Sequence, residues 1–270
     1  MAKTIFELKD IYFSYPGKIP ALRGVDLAIE EGSKLAVIGA NGTGKSTLLA
    51  MLDGLIFPDK GSLKAFGREL NEPVLNDAGF SQFFRKKVGF LFQNPEVQLF
   101  CPTVKEDIIF GPLHLGVLQA EIKDRLDKLS ADFEIGHLLE RSPHQLSIGE
   151  KKKVSLASVL AIQPDVLLLD EPTAGLDPQT IRDIIDILLV ENQAGKTIVT
   201  ATHDLHIVDE IADVVHVFGA EKKIIRSAPP EEILADESFL KEHNLVHIHS
   251  HRHKDKLHIH LHQHLEHHPE

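Results

Sequence analysis

An eight-residue stretch, residues 39–46, constrains the fold of this chain more than any other feature. It reads Gly-Ala-Asn-Gly-Thr-Gly-Lys-Ser and lies between a short apolar segment at 34–38 and a segment at 46–53 that is typical of a helix. Glycines let the backbone curl so that successive N–H groups point inward at phosphate oxygens, and the helix N-terminus adds the positive end of its dipole. A strand, a glycine-rich turn and a helix in this order predict a phosphate-binding loop.

The last residues of this loop are predicted to bind phosphates and a magnesium ion. The Lys45 ammonium is expected to reach the β- and γ-phosphates of a nucleotide, and the Ser46 hydroxyl to hold Mg²⁺. The other expected phosphate contacts come from Gly39, Ala40, Asn41, Gly42, Thr43, Gly44 and Thr47.

Composition narrows the class of protein. The 270 residues suffice for one large domain or one and a half, and 43% of them are apolar, enough for a hydrophobic core. The formal charge of −11 argues against a general nucleic-acid binder, and the single cysteine, Cys101, excludes an internal disulfide and fits a reducing compartment. No apolar run approaches the roughly 18 residues of a membrane span. The N-terminal segment has charged residues at the positions where a signal peptide would have its apolar region. We therefore expect a soluble intracellular chain whose membrane role depends on a partner.

Hydrophobic patterning predicts an alternation of strands and helices. A continuous apolar run at 166–170 is typical of a parallel strand covered on both faces. Segments 103–106 and 147–150 have the Thr-x-x-Glu and Ser-x-x-Glu spacing of capping boxes at helix starts, within a helical region that runs to about 162. The other predicted strands are 4–8, 25–29, 34–38, about 62–66, 88–92, 197–201 and 214–218.

Two carboxylates stand at the end of the apolar run at 166–170. An aspartate that ends a buried strand beside a phosphate loop can bind the Mg²⁺ shell, and this position is Asp170. The next residue, Glu171, is expected to act as the general base that polarises the attacking water.

Four further elements follow one another along the chain in a set order. They are Gln93, the segment Leu-Ser-Ile-Gly-Glu at 146–150, the segment Ala-Gly-Leu-Asp at 174–177, and His203. With the phosphate loop and the two carboxylates, this order resembles the nucleotide-binding subunit of ATP-binding-cassette (ABC) transporters over residues 4–235. The resemblance implies ATP and Mg²⁺ as cofactors and an ATPase coupled to transmembrane transport.

The resemblance also implies a fold and its division. The expected class is α/β, a P-loop NTPase with a mostly parallel core sheet, an N-terminal antiparallel β-subdomain and an α-helical subdomain. The nucleotide-binding domain would cover residues 1–240, with the helical subdomain at about 95–162, and a histidine-rich tail would cover 241–270.

Roles known in the family transfer to matching positions. Tyr15 resembles the aromatic residue that stacks on adenine, with Tyr12 and Phe13 as close competitors. Gln93 resembles the residue that senses Mg²⁺ and the γ-phosphate and links them to the membrane partner.

The family also implies that two subunits share each ATP site. Ser147 and Gly149 would contact the γ-phosphate of ATP held by the opposite subunit, and Asp177 would lie at the seam between the subunits. His203 would contact the γ-phosphate and position Glu171 and the water. Two ATP molecules would be sandwiched in a dimer, expected to contain two identical copies of this chain, and hydrolysis would release it.

Two positions depart from the family pattern, which has glycine where this chain has Ile148 and, as a milder difference, glutamine where it has Glu150. A β-branched side chain disfavours positive φ and fills space that glycine leaves open. If position 148 keeps a helical φ and its side chain points away from ATP, little changes; otherwise hydrolysis is weakened. We predict that Ile148→Gly is tolerated.

Several segments indicate the branch of the family. Only 124 residues separate Lys45 from Asp170 and there is one cassette, unlike DNA-repair and translation members. Residues 93–100, 103–107, 110–112 and 150–154 resemble the energy-coupling-factor (ECF) type ATPases of cobalt and nickel importers. In that group this region meets a transmembrane scaffold protein. The implied partners are this scaffold, a substrate-binding membrane component and a second ATPase subunit, with no nucleic acid, at the cytoplasmic face of the cell membrane.

The C-terminal segment is rich in histidine, since eleven of the 17 histidines lie between His243 and His268. In an extended strand, a period of two places every histidine of a run on one face, and neutral imidazole binds Zn²⁺, Cu²⁺, Co²⁺ and Ni²⁺. Residues 254–256 are the candidate turn of a hairpin. The candidate ligands for Ni²⁺, Co²⁺ or Zn²⁺ are His247, His249, His251, His253, His258, His260, His262 and His264.

Other interpretations stay open at this point. Three other interpretations of the tail compete: an expression tag, which its interrupted, patterned histidines do not resemble, a disordered solubilising segment, and adventitious metal binding. The preferred hypothesis is that the chain energises import of a transition-metal cation, cobalt or nickel first, and that the tail senses or buffers the metal. The alternatives are a vitamin importer ATPase of the same type, a soluble iron–sulfur assembly ATPase, and a histidine-rich metal-binding or storage protein.

Overall fold

The computed structural model of the chain describes residues 3–253 and 256–262. Their strands are β1 (Thr4–Tyr15), β2 (Ile19–Glu30), β3 (Lys34–Ile38), β4 (Lys60–Ala65), β5 (Arg68–Glu69), β6 (Val88–Leu91), β7 (Val166–Asp170), β8 (Thr197–Thr202), β9 (Val214–Phe218), β10 (Ile224–Ala228), β11 (His247–His253) and β12 (Lys256–His262). Their α-helices are α1 (Lys45–Leu52), α2 (Glu72–Leu75), α3 (Ala78–Lys87), α4 (Val104–His114), α5 (Gln119–Asp132), α6 (Ile148–Leu160), α7 (Pro178–Gln193), α8 (Val208–Ile211), α9 (Pro230–Leu234) and α10 (Glu237–Glu242).

An antiparallel sheet in the order β2-β1-β4-β5 forms the N-terminal part. Its strands are longer than predicted: β1 continues from the predicted 4–8 to Tyr15, and β2 starts at Ile19 instead of 25. The pairing register of β1 shifts between Leu8 and Ile11, and Asp10 there has a φ of 49°. This bulge interrupts the apolar alternation, which is why the pattern predicted a shorter strand.

The second sheet has the order β10-β9-β3-β8-β7-β6. Its pairs from β9 to β6 are parallel, and β10 pairs with β9 in the antiparallel sense. Every residue of β7 is buried, as expected for a central parallel strand covered on both faces. The predicted bounds of β3, β7 and β9 match the structure.

The strand order determines what meets at one edge of this sheet. β8 lies between β3 and β7, so that Ile38 pairs with Thr202 and Asp170 with Ala201. The loops that follow β3, β8, β7 and β6 therefore emerge side by side at the carboxyl edge, where open α/β sheets bind their ligands.

Helices α4, α5 and α6 lie between β6 and β7 in the sequence. They share a hydrophobic cluster with the sheet, in which Val104 and Leu156 of the helices join Leu91 and Leu169 of the strands. Both predicted capping boxes are present, at the start of α4 and at the start of α6. The boundaries 1–240, 95–162 and 241–270 stay predictions.

The structure also shows elements that the sequence patterns did not predict. Helix α3 begins at Ala78 after an Asp77 N-cap, and β10 adds an antiparallel edge strand. Within residues 3–253 and 256–262, no helix is long and apolar enough to cross a bilayer.

The predicted hairpin of the tail is present, since β11 and β12 pair in the antiparallel sense. Lys256 pairs with His253 inside the ladder, so it belongs to a strand and not to the predicted turn. Lys254 and Asp255, and the candidate ligand His264, lie outside the described residues.

Candidate functional site

The loop between β3 and α1 has the shape that its glycines predict. A Cβ on Gly44 would lie 2.4 Å from the carbonyl oxygen of Ala21, and the φ of Gly44 is 116°. A Cβ on Gly39 would lie 2.8 Å from the carbonyl oxygen of Phe218. Only glycine therefore fits at these two positions, and the loop passes close to the neighbouring backbone.

The Lys45 side chain is folded into this loop. Its Nζ donates to the carbonyl oxygen of Gly39 at 2.8 Å and to that of Ala40 at 3.4 Å. Burial lowers the pKa of Lys45, and the charges of Glu171 and Asp170 act in the opposite direction. The ammonium is thus close to two acids and enclosed by the loop.

A cavity of about 450 Å³ opens beside the loop. It brings together Tyr15, Gln93 and Glu171, which come from three distant parts of the chain. Sequence reasoning missed Lys222, which lines the same cavity and donates to the carbonyl oxygen of Gly42. No local motif marks Lys222, because it reaches the loop only through the position of the turn before β10. The other lining residues are Ile19, Pro20, Ala21, Asn41, Gly42, Gly44, Lys45, Ser46 and Thr47.

Among the three aromatic candidates for base stacking, Tyr15 is the one that lines this cavity in the described part of the chain. Its hydroxyl lies 3.2 Å from Oγ1 of Thr47, and its ring contacts Phe13 edge to face at 5.1 Å. Tyr12 instead lies against the Lys60 ammonium, 4.6 Å from the ring centre. The geometry thus favours Tyr15 over its two competitors.

Asp170 ends β7 inside the protein, beside the Ser46 hydroxyl. Burial raises the pKa of Asp170, and Glu171 raises it further, while Ser46, Lys45 and Lys152 lower it. The Oδ1 atom of Asp170 is buried and has no hydrogen-bond partner in the described structure. A carboxylate oxygen left free beside a hydroxyl is a donor set that Mg²⁺ prefers, so these residues fit the predicted ion.

Glu171 is held from several sides. Its φ is 46°, its N–H donates to the carbonyl oxygen of Ala201 at 2.9 Å, and its Oε2 accepts from Oγ1 of Thr202 at 3.1 Å. The Nδ1 atom of His203 lies 2.8 Å from Oε1 of Glu171. This hydrogen bond is the largest cause that raises the pKa of His203, and burial acts against it. The predicted base and its predicted positioning residue are therefore in direct contact.

The segment at 146–150 lies away from this cavity. Ser147 caps α6, where its side chain accepts from the N–H of Glu150. A Cβ on Gly149 would lie 3.9 Å from Oδ2 of Asp177, so these two predicted contacts share one surface. Ser147, Gly149 and Asp177 are not among the residues that line the cavity in the described structure. One chain thus brings together one part of the predicted site, and the other part faces elsewhere.

Ile148 meets the condition under which the sequence departure is harmless. It is the first residue of α6, has no positive φ, and is 61% exposed. We expect Ile148→Gly to keep its ATPase activity, because most of the side chain is exposed and lies outside the hydrophobic clusters of the described chain. Steady-state hydrolysis by this variant, compared with Ile148→Ala, checks the expectation. A loss confined to the glycine variant would reveal a backbone requirement, and a loss in both would reveal a contact made by the side chain.

The model of the ABC transporter family matches residues 22–174. The chain belongs to this family. ABC ATPases bind ATP with Mg²⁺ and hydrolyse it, which agrees with the buried lysine, the free Asp170 oxygen and the paired Glu171 described above.

Curated relatives include ABC ATPases of import systems. The chain is 48% identical over 244 residues to the nickel import ATP-binding protein NikO of Rhodobacter capsulatus, covering 89% of this chain and 95% of that protein. It is 40% identical over 241 residues to the energy-coupling factor transporter ATP-binding protein EcfA of Methanothermobacter thermautotrophicus, covering 89% of this chain and 76% of that protein. The resemblance to ECF-type ABC ATPases is thereby confirmed.

Solved ABC structures share the fold. The structure of cbiO1 from Clostridium perfringens, part of the ABC transporter complex cbiONQ, has a TM-score of 0.75 and 34% identity over 90% of this chain and 95% of its own. The dimeric post-hydrolysis structure of the ATP-binding cassette MJ0796, bound to ADP and Pi, has a TM-score of 0.75 and 26% identity over 84% and 99%. The predicted P-loop NTPase fold is confirmed, and dimerisation is a property of this family.

Proposed function

We propose that this chain is the ATP-hydrolysing subunit of an ECF-type importer for a transition-metal cation, nickel or cobalt first. The observation that carries the proposal is the 48% identity to a nickel import ATP-binding protein over nearly the full length of both chains. The complete set of nucleotide-binding motifs supports the enzymatic part, and the histidine-rich tail supports the choice of substrate.

The proposed reaction is attack by water on the γ-phosphate. Glu171 accepts the proton of this water, and His203 orients the carboxylate through the 2.8 Å contact. Lys45 offsets negative charge on the phosphates, and Tyr15 stacks on the base. When bound, Mg²⁺ neutralises charge on the β- and γ-phosphate oxygens, with Ser46, Asp170 and Gln93 as the residues that would hold it.

The second half of each site comes, in this proposal, from a second copy of the chain. Ser147 caps α6 by accepting from the Glu150 N–H, which leaves the N–H groups of Ile148 and Gly149 without an acceptor within the helix. These groups are available to an anion, and Gly149 and Asp177 share that surface. Because Ser147, Gly149 and Asp177 do not line the cavity of their own chain, they are free to close over the ATP of the partner. Closure around ATP and release after hydrolysis would drive the membrane components.

A groove of about 400 Å³ supports docking of a transmembrane scaffold protein. It lies between the sheet edge and α4, and four of its sixteen lining residues are phenylalanines, among them Phe92, Phe100 and Phe110. Phe100 is 65% exposed, and its ring meets that of Phe110 edge to face at 4.9 Å. Asp107 holds the loop by accepting from the N–H groups of Phe100 and Cys101. An exposed aromatic groove beside the Gln93 loop suits an apolar helix of a partner at the cytoplasmic face of the membrane.

The tail supports a metal substrate through its strand register. His247 pairs with His262, His249 with His260, and His251 with His258. Residues at paired positions of an antiparallel ladder share a face, so this register assigns these six histidines, and His253 opposite Lys256, to one face of the hairpin. Imidazole suits Ni²⁺, Co²⁺ and Zn²⁺, and we propose that the tail captures or senses the transported metal.

Uptake measurements in cells that contain the complete transport system test this function. Replacing the chain by Glu171→Gln should lower uptake of radioactive Ni²⁺ or Co²⁺ by about 100-fold, because hydrolysis loses its base. Truncation to residues 1–242 should lower uptake at limiting metal and leave uptake at saturating metal unchanged. Glu210→Gln is the matched control, since this carboxylate pairs with Arg182 on the surface.

Each outcome distinguishes a part of the proposal. If Glu171→Gln abolished uptake of a vitamin and left metal uptake intact, the transported substrate would be a vitamin and not a metal. Loss of neither would point to the iron–sulfur assembly ATPase. Identical uptake by the truncated and full-length chains at every metal concentration would remove the sensing role of the tail.

A further inference from the structure

Lys152 is buried in a way that its neighbours are not. It lies in α6 and is 1% exposed, whereas the partly exposed side chains of Lys151 and Lys153 form ion pairs with Glu96 and Asp183. The sequence shows three consecutive lysines and does not distinguish the middle one, because the difference arises from the face of the helix that meets the sheet edge.

The Lys152 ammonium bridges two segments of the nucleotide site. Its Nζ donates to the carbonyl oxygens of Phe92 at 3.2 Å and Gln93 at 2.8 Å, and to that of Glu171 at 3.4 Å. Three backbone acceptors thus surround one cation, and they belong to the loop that carries Gln93 and to the residue predicted as the general base.

Burial of this charge needs compensation. An ammonium removed from water is costly unless hydrogen bonds and opposite charges replace its hydration. Burial lowers the pKa of Lys152 to about 8, while Asp170 and Glu171 act in the opposite direction. The three carbonyl contacts and the two neighbouring acids together supply this compensation.

The contact with Glu171 reaches a backbone that is itself strained. A non-glycine residue at a φ of 46° lies in the left-handed region, which is costly and persists only when the surroundings hold it. Besides Lys152, the carbonyl oxygen of Glu171 accepts from the N–H of Ala174 at 3.4 Å. Lys152 therefore contributes to the conformation that aims the Glu171 carboxylate at His203.

A second tie joins the same loop to α6 and leaves Glu171 untouched. The Nε2 of Gln98 donates to the carbonyl oxygen of Ser155 and to the Oγ of Ser158, and its Oε1 accepts from the N–H of Phe92. Gln98 thus joins the loop only to α6, whereas Lys152 joins the loop and α6 to Glu171 as well. The difference makes it possible to separate the two effects.

We propose that Lys152 is a positioning residue that couples the helix bearing Ser147 and Gly149 to both Gln93 and Glu171. A small displacement of α6 moves the ammonium, and with it the carbonyls that orient these two groups. When the nucleotide of the partner subunit contacts Ser147, the resulting movement of α6 would in this way reach the general base, Glu171, of the same chain. The inference rests on ATP hydrolysis and is independent of which substrate is transported.

The test compares Lys152→Met with Lys153→Met in the full-length chain. Both remove one ammonium from adjacent positions of α6, and Lys153 contacts Asp183 away from the cavity. For Lys152→Met, kcat for ATP should fall by about 100-fold, the effect of displacing catalytic groups by about 1 Å. KM and the Kd of a fluorescent ATP analogue should change less than about 3-fold, since the phosphate loop is untouched. Lys153→Met should keep the wild-type kcat.

Two further variants complete the test. Lys152→Arg keeps a cation, so the fall in log kcat that it causes should be at most half of the fall that Lys152→Met causes. Gln98→Leu should also reduce kcat less than Lys152→Met does. Lys152→Gln replaces the methionine variant if the latter does not fold. The proposal would be overturned in favour of a purely structural lysine if Lys152→Met lowered kcat, ATP affinity and melting temperature together. Unfolding of both Lys152→Met and Lys152→Gln would overturn it in the same way. So would a kcat for Lys152→Met equal to that of Lys153→Met.

Discussion

Glu171→Gln is expected to lower the rate of ATP hydrolysis by about 10²- to 10⁴-fold, the range typical for loss of a general base. The amide keeps the size of the side chain but cannot accept the proton of the attacking water. Because Lys45 and the phosphate loop are untouched, ATP binding should persist. The variant should therefore accumulate an ATP-bound dimer, which single-turnover kinetics and light scattering measure.

The same variant should change the titration of His203. In the wild-type chain the hydrogen bond to Glu171 is the main cause that raises the pKa of His203, and the charge of Glu171 adds to it. Removing the carboxylate should lower this pKa, so that His203 loses its proton at a lower pH in an NMR titration. The surface variant Glu210→Gln serves as the control for both measurements. Wild-type hydrolysis by Glu171→Gln would show that another group accepts the proton.

Lys45→Met is expected to weaken binding of MgATP by at least about 30-fold, since truncating one partner of a buried, hydrogen-bonded charge pair costs about 2 kcal/mol or more. Hydrolysis should fall with binding, by about 10²- to 10³-fold in kcat at saturation, because a preorganised cation at the phosphates is lost. Calorimetric titration with MgATP and steady-state kinetics measure the two effects.

The stability of the nucleotide-free Lys45→Met variant distinguishes a site defect from a folding defect. Burial is the largest cause that lowers the pKa of Lys45, so its charge is unfavourable in the folded state without ATP. The melting temperature of the free variant should thus be unchanged or higher, while the increase that MgATP causes in the wild type should disappear. Lys34→Met is the control, because Lys34 starts β3, the strand that precedes the phosphate loop, and pairs with Asp213. A lower melting temperature without ATP would contradict this account.

Local patterns predicted the parts of the fold that local physics decides. The phosphate loop needs glycine where its backbone approaches Ala21 and Phe218, and glycine is visible in the sequence. The capping boxes at Thr103 and Ser147 depend on residues three positions apart, so they too could be predicted. The lengths of β1 and β2 were underestimated, since a bulge near Asp10 interrupts the alternation on which a strand prediction rests.

The candidate site was predictable where its residues belong to motifs. Glu171 and His203 were assigned to one function from the sequence order, and the structure brings them within 2.8 Å. Lys222 and Lys152 were not found, although each reaches the nucleotide site. No spacing or neighbouring residue distinguishes them from other lysines, because their positions follow from packing between distant segments.

The sequence by itself determined the family through the order of its motifs. It also determined the phosphate loop, the buried strand that ends in Asp170 and the start of α6, since these three depend on hydrogen bonds and periodicity within about ten residues. Only the tertiary structure decided that β8 lies between β3 and β7, that the carboxyl ends of these strands meet, and that one of three consecutive lysines enters the core beside Gln93 and Glu171. These arrangements depend on strand pairing and helix packing between segments far apart in the chain, and no local pattern encodes them.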